Sequence, residues 1–161
     1  MPKTQVEQLY SSIYDSPIGP LTLVASERGL VALEFGKKKR EDCVDDPKRL
    51  APYRKQLDQY FAGKRQEFTV ALDIRGTDFQ KRCWQELLKI PYGQTRSYRQ
   101  IAEAVGNRNA VRAVGLANGQ NPIAIIVPCH RVIASDGTLC GYGGGLHVKE
   151  ELLRLEGARL F

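Results

Sequence analysis

Ten residues in the C-terminal third constrain this chain most. Ile123-Ala124-Ile125-Ile126-Val127 is an unbroken apolar run that leads straight into Pro128-Cys129-His130-Arg131-Val132. The run carries a cysteine into the interior and sets a histidine and an arginine directly beside it. Apolar burial disfavours a thiolate and raises the thiol pKa, whereas two potential cations next to it push the other way. A cysteine held between these influences is a candidate nucleophile. The plainer reading is a core cysteine before a polar turn, since free cysteine is among the most buried residue types.

A chain of 161 residues, 42% of them hydrophobic, suffices for one compact unit or two small lobes sharing an interface. No apolar stretch approaches a membrane span, and Met1-Pro2-Lys3-Thr4-Gln5 starts no signal peptide. These features point to a cytoplasmic protein with no membrane partner. The cysteines Cys43, Cys83, Cys129 and Cys140 include no CxxC pair. His130 and His147 are the only histidines, so no metal site is expected. A disulfide framework does not suit this size and compartment.

The net charge is +6, and its placement matters more than its size. Residues 1–75 hold 13 basic and 11 acidic side chains, whereas residues 76–161 hold 11 and 7. From Arg96 to Arg131 there are five arginines, no lysine and one acid, Glu103. An arginine-only stretch suits forked contact with phosphates, although a solvated basic face looks the same in a sequence.

The first part reads as a small sheet. Tyr10 to Asp15 and Leu21 to Ser26 are β-type runs parted by the turn signal Ser16-Pro17-Ile18-Gly19-Pro20. Glu27-Arg28-Gly29 then leads into Leu30 to Phe35, completing an antiparallel meander. Lys37-Lys38-Lys39-Arg40 reads as an exposed loop, Lys48 to Phe61 as a helix ended by Gly63, and Phe68 to Ile74 as a further strand. No chemistry is visible in this part.

The rest reads as helical. Thr77-Asp78-Phe79-Gln80 is a capping box, and Phe79, Cys83 and Leu87 follow on one helical face, which makes Cys83 and Trp84 core residues. Pro91-Tyr92-Gly93 stops that helix. Ser97-Tyr98-Arg99-Gln100 is a second capping box, opening a helix to about Val105. Gly106-Asn107 makes a turn into a helix from about Asn109 to Asn118, the pattern of a helix-turn-helix. In that last helix Arg112 is the one long charged side chain, and Ala113, Gly115, Ala117 and Gly119 are small. Glycine inside a helix costs about 1 kcal/mol relative to alanine, so two of them call for close approach of another surface. That surface is either the rest of the protein or a DNA groove probed by Arg112. A final helix runs from about His147 to Glu156 and stops at Gly157.

Pro128-Cys129-His130-Arg131-Val132 resembles the active-site signature of the O6-alkylguanine-DNA alkyltransferases, which repair alkylated guanine. The likeness continues upstream through Ser97-Tyr98, Arg112-Ala113-Val114-Gly115 and Asn121-Pro122. Downstream it runs through Gly141-Tyr142-Gly143-Gly144-Gly145, Lys149-Glu150 and Glu156-Gly157. It covers residues 76–161 closely and the first part loosely. It implies an α/β (α+β) fold: an N-terminal ribonuclease H-like antiparallel-sheet lobe, residues 1–75, and a C-terminal helical lobe, residues 76–161, with the helix-turn-helix and an active-site loop.

The resemblance implies in-line attack by the Cys129 thiolate on the alkyl carbon at guanine O6. The stable thioether that results limits each molecule to one turnover. It implies a Glu–His–water–Cys relay through Glu156 and His130, with Tyr98 stabilising the departing guanine and a backbone N–H near Gly143 serving O6. Neighbouring side chains on an extended strand point apart, and a bridging water would solve that geometry for Cys129 and His130. Main-chain groups of Cys129 and Val132 would read the base edge, and Tyr142, Gly143 and Gly144 would wall the pocket. The base must be flipped out, with Arg112 filling the gap. Ser97, Tyr98, Ala113, Gly115 and Arg131 would touch DNA. Asn121 would tie the active-site turn to the helix-turn-helix or simply cap the chain before Pro122. His147 and Cys140 look incidental.

The partner implied is double-stranded DNA carrying O6-alkylguanine, with O4-alkylthymine as a second candidate lesion, met through the minor groove by a monomer that sits on the chromosome when working. No cofactor is implied. The cysteine-rich metal-binding domain of some bacterial members and the zinc ligands of some animal members have no counterpart here. Two rival classes are a lesion-recognition protein without efficient transfer, against which Cys129 argues, and a thiol enzyme unrelated to DNA, which would leave Arg112 and its small neighbours unexplained.

Overall fold

The computed structural model describes residues 6–158, so the Met1–Gln5 segment read for a signal peptide lies outside them. The meander forms as the turn signals predict. Strands β1 (Leu9–Ser16), β2 (Gly19–Ala25) and β3 (Leu30–Phe35) pair antiparallel, with Ser16 opposite Gly19 at the first turn. Ser16 Oγ closes that turn by donating to the Gly19 carbonyl at 2.5 Å. Strand β2 is buried along Leu21–Ala25 on both faces.

The fourth strand is not the one expected. Cys43–Asp45 forms β4, parallel to β1, which gives the order β3-β2-β1-β4. Phe68 to Ile74, read above as a strand, touches the sheet through a single bridge, Leu30 to Leu72. It pairs there because Leu30 N donates to Ala71 O and Asp73 N to Leu30 O, at 3.0 and 2.8 Å. The chain bends at Val70 just before this bridge and takes no strand conformation after it, so the ladder does not extend. Helix α1 (Pro47–Phe61) begins with proline at its first turn and Asp46 as cap, and Gly63 at φ 73° ends it. It buries Leu50, Leu57 and Tyr60.

In the second lobe both capping boxes close. Thr77 and Gln80 cap α2 (Asp78–Leu88), and Ser97 and Gln100 cap α3 (Tyr98–Ala104). Helix α4 (Val111–Gly119) follows the Gly106 turn and completes the helix-turn-helix pair. Cys83 and Trp84 are core, and the Trp84 indole N–H donates to Ala117 O at 2.8 Å, fastening α2 to α4. A two-residue parallel pairing joins β5 (Arg96–Ser97) to β6 (Val132–Ile133). Helix α5 (Leu146–Leu155) closes the lobe, and Gly157 at φ 73° turns the chain away.

The apolar run does not form a strand. Ile123 bridges Leu33 of β3, and the chain then turns twice. Ile126 N donates to Ala124 O across Ile125 at φ 71°, a γ-turn that an isoleucine rarely adopts. Cys129 N donates to Val127 O across Pro128 at φ −83° and ψ 65°, an inverse γ-turn. Burial of five apolar side chains outweighs the local strain and the β propensity of the run.

Candidate active site

The two turns deliver Cys129 into a single 3-10 turn, Cys129–Arg131, rather than an extended strand. All three side chains of that turn are buried. Cys129 forms part of the floor of a cleft of about 760 Å³ between the lobes, whose walls include Phe35, Tyr98, Gly115, Asn118, Asn121 and Tyr142.

His130 and Glu156 come together across 26 residues of sequence. The His130 Nε2 lies 2.8 Å from Glu156 Oε2. An ionised carboxylate only accepts, so this contact fixes the proton on Nε2 and leaves Nδ1 with its lone pair. Nδ1 is buried and has no protein partner among the described residues. Burial pushes the imidazole pKa below its ordinary value, against the opposing pull of Glu156. His130 is therefore neutral near pH 7, with its basic nitrogen on the side away from the carboxylate.

Glu156 is buried, which by itself would raise its pKa. The hydrogen bonds from His130 and Arg131 win, and hold it at about 2. Arg131 donates through Nε to Oε1 at 2.8 Å and through Nη2 to Oε2 at 3.0 Å, while Nη1 donates to Ile90 O at 2.7 Å. This corrects the expectation that Arg131 meets DNA. Its guanidinium is spent inside the protein.

Burial raises the Cys129 thiol pKa, opposed by the Asn121 side chain and the charge of Lys149. The cations beside it in sequence do not supply the opposition: His130 is neutral and Arg131 faces Glu156. Asn121 does both things considered for it. Its Nδ2 donates to Val127 O at 2.7 Å, pinning the active-site turn, and its Oδ1 accepts from Ile123 N at 3.0 Å. Asn118 of α4 adds a longer contact, Nδ2 to Cys129 O at 3.4 Å.

Tyr98 lines the cleft, and its hydroxyl donates to Cys140 O at 3.4 Å. Tyr142 is wall as expected, edge-on to Phe35 at 5.4 Å. Gly143 also lines the cleft, but Gly144 and Val132 do not. Gly144 lies against Phe35, whose ring atoms would stand 3.0 Å from an added Cβ, so its lack of a side chain serves lobe packing. Val132 is fully buried, and its carbonyl accepts from Lys149 Nζ at 2.7 Å. Lys149 also donates to Cys140 O at 3.0 Å, so the main chain of Cys140 is not incidental. His147 is exposed and, among the described residues, pairs only with Glu151.

On the outer face of α4, Arg112 and Ala113 are exposed. No internal partner holds Arg112 among the described residues. An added Cβ would meet nothing within 4 Å at Gly119, and only Tyr98 at 4.0 Å at Gly115. Packing against the rest of the lobe therefore does not account for these glycines. Ser97 caps α3 with its oxygen accepting from Gln100 N at 3.1 Å.

Two features escaped the sequence. Lys149 is a fully buried lysine whose pKa is lowered by burial, and Tyr60 of α1 donates to Glu156 Oε2 at 2.6 Å. The spacing of Val148 to Leu153 on an amphipathic helix gives no sign that a lysine points inward. Tyr60 lies 96 residues from Glu156, beyond any local signal. Among the described residues no group of three or more His, Cys, Asp or Glu is placed to hold a metal ion.

Comparison with known proteins covers nearly the whole described chain. Residues 9–74 match the 6-O-methylguanine DNA methyltransferase ribonuclease-like domain, and residues 78–158 match the DNA binding domain of the same family. The methylated-DNA–protein-cysteine methyltransferase of Methanosarcina barkeri is 52% identical over 153 residues, covering 92% of this chain and 97% of its own. The crystal structure of Mycobacterium tuberculosis O6-methylguanine methyltransferase matches with a TM-score of 0.87 at 52% identity, covering 93% of each chain. That organism's enzyme in complex with DNA matches with a TM-score of 0.85 at 53% identity, covering 93% of this chain and 92% of the other. With two family models together spanning nearly all of it, the chain belongs to the 6-O-methylguanine DNA methyltransferase family.

Proposed function

We propose that this protein repairs DNA directly, moving the alkyl group of O6-alkylguanine onto Cys129 in a single turnover. The observation that carries this reading is the tautomer imposed on His130. Glu156 holds the Nε2 proton, so Nδ1 is the basic nitrogen, on the residue next in sequence to a thiol that burial keeps protonated. In the proposed step Nδ1 takes the Cys129 proton through one bridging water. The sulfur forms a bond to the alkyl carbon as the carbon–O6 bond breaks, and the electron pair leaves with guanine. Tyr98, whose pKa burial raises, stays a neutral donor able to meet the charge that develops on the base. The thioether at Cys129 then ends the reaction.

The proposed partner is double-stranded DNA entered through the minor groove by α4, with Arg112 filling the space of the flipped base and Ser97, Ala113 and Gly115 at the contact. The open space around Gly115 and Gly119 supports this face as the one that meets DNA. The relative solved with DNA supports DNA as the ligand. The protein is proposed to act as a cytoplasmic monomer without a cofactor, its two domains dividing at residues 75 and 76.

The test is an intact-mass measurement after mixing with duplex DNA containing O6-methylguanine, followed by peptide mapping. One methyl group per chain, on Cys129, is the expected result. Tight binding of the lesion duplex with no mass change would overturn transfer and leave recognition alone.

A further inference from the structure

Glu156 is gripped from both lobes. Arg131 and His130 reach it from the 3-10 turn, but the shortest contact comes from the other side of the interface, where the Tyr60 hydroxyl donates to Oε2 at 2.6 Å. That oxygen is the one His130 uses. Tyr60 is fully buried, and its ring is fixed by Phe61, Phe68 and Tyr92 at centroid distances of 5.2, 5.3 and 6.3 Å. Burial and the neighbouring carboxylate push its pKa up, so it acts only as a donor.

We propose that Tyr60 is a positioning residue for the proton relay, supplied by the first lobe, which sets how strongly Glu156 holds His130. This rests on the transfer reading above and extends it to the first lobe, where the sequence shows no chemistry. A carboxylate oxygen shared among three donors is a weaker acceptor toward each. Tyr60 therefore tempers the pull of Glu156 on His130 and keeps the imidazole neutral at working pH. The other groups facing this site are Arg131 and Lys149, both cationic, and the neutral Tyr92 and Tyr142. None of the four donates to Oε2 except Arg131.

Removing the Tyr60 hydroxyl concentrates the carboxylate on His130 and favours the imidazolium, which cannot accept the thiol proton. In full-length Tyr60→Phe, the acid limb of the transfer rate against pH is expected to move up by about half a unit or more. Below the wild-type midpoint, transfer slows about three- to tenfold, and the two rates converge at high pH. A uniform loss at every pH, with an unmoved midpoint, would reduce Tyr60 to packing and overturn the proposal. Absence of transfer in the wild type would instead sink the transfer reading itself. Should Tyr60→Phe fail to fold, proton NMR of the wild type decides. A slowly exchanging Tyr60 hydroxyl proton with a cross-peak to the His130 Nε2 proton is expected, and its absence would overturn the assignment.

Discussion

Arg131 and Glu156 form a forked ion pair sealed in the interior, with Nε on Oε1 at 2.8 Å and Nη2 on Oε2 at 3.0 Å. The geometry holds an ionised carboxylate where burial alone would neutralise it. Breaking one side of a buried pair leaves the other uncompensated, at a cost of about 3–5 kcal/mol. Arg131→Met is expected to lose stability on that scale in urea unfolding. Its salt dependence of DNA binding, measured at a temperature where it stays folded, should match the parent. A slope reduced by about one would return Arg131 to the DNA interface.

Cys129 and Glu156 separate binding from chemistry. Cys129→Ser is expected to abolish transfer and keep affinity for the lesion duplex, since serine fits the same turn. Glu156→Gln removes the charge that fixes the His130 tautomer, so transfer slows at neutral pH by about 100-fold with little loss of affinity. Single-turnover rates and equilibrium binding on the same duplex check both. An unchanged rate in Glu156→Gln would remove the relay.

Acid stability follows from two depressed pKa values. Burial lowers that of His130, and hydrogen bonds overcome burial to hold Glu156 at about 2. For both, the unfolded chain binds protons more readily than the folded one, so stability falls as pH falls. The His130 share goes first, below its ordinary value of 6.5, and the Glu156 share goes between 4.5 and about 2. Above the His130 value neither group contributes a slope. Melting temperatures should therefore begin to drop just below neutrality, and His130→Asn should flatten that first decline. A His130→Asn curve parallel to the parent's there would show that His130 does not titrate on unfolding.

Local signals carried much of the fold. Thr77 with Gln80 and Ser97 with Gln100 marked two helix starts because a capping box is complete within four residues. The meander was legible because its turns carry their own glycines and prolines. Strand β4 was not, because three residues with half-exposed Cys43 and exposed Val44 have no pattern to read. The apolar run Ile123–Val127 announced burial but not its path, which tertiary packing bends through Ile125. Within the site, the Cys129, His130 and Glu156 assembly was legible only through a resemblance. The buried partners around it, Tyr60, Arg131 and Lys149, depend on which polar groups meet in the folded chain, across the lobes for Tyr60 and within the second lobe for the other two, and no period or motif encodes that.

Arg112 stands exposed on α4, and no partner holds its guanidinium among the described residues. Arg112→Ala is expected to leave the unfolding free energy of the free protein unchanged within about 0.5 kcal/mol, as for surface sites generally. Affinity for the lesion duplex should fall about tenfold or more, and transfer at low protein concentration with it. Undiminished affinity would move the DNA contact off this helix.

Gly115 offers the sharpest contrast between folding and function. It lies in mid-helix, and an added Cβ would stand 4.0 Å from Tyr98, an ordinary contact. Alanine there should stabilise the free protein by up to about 1 kcal/mol through helix propensity alone. Yet Gly115 lines the cleft and lies on the proposed DNA-facing helix, so the same methyl group stands where a second surface must approach. Gly115→Ala should therefore melt higher and bind the lesion duplex more weakly. A variant that gained stability and kept full affinity would show that the glycine is not reserved for DNA. One that lost stability would return it to internal packing.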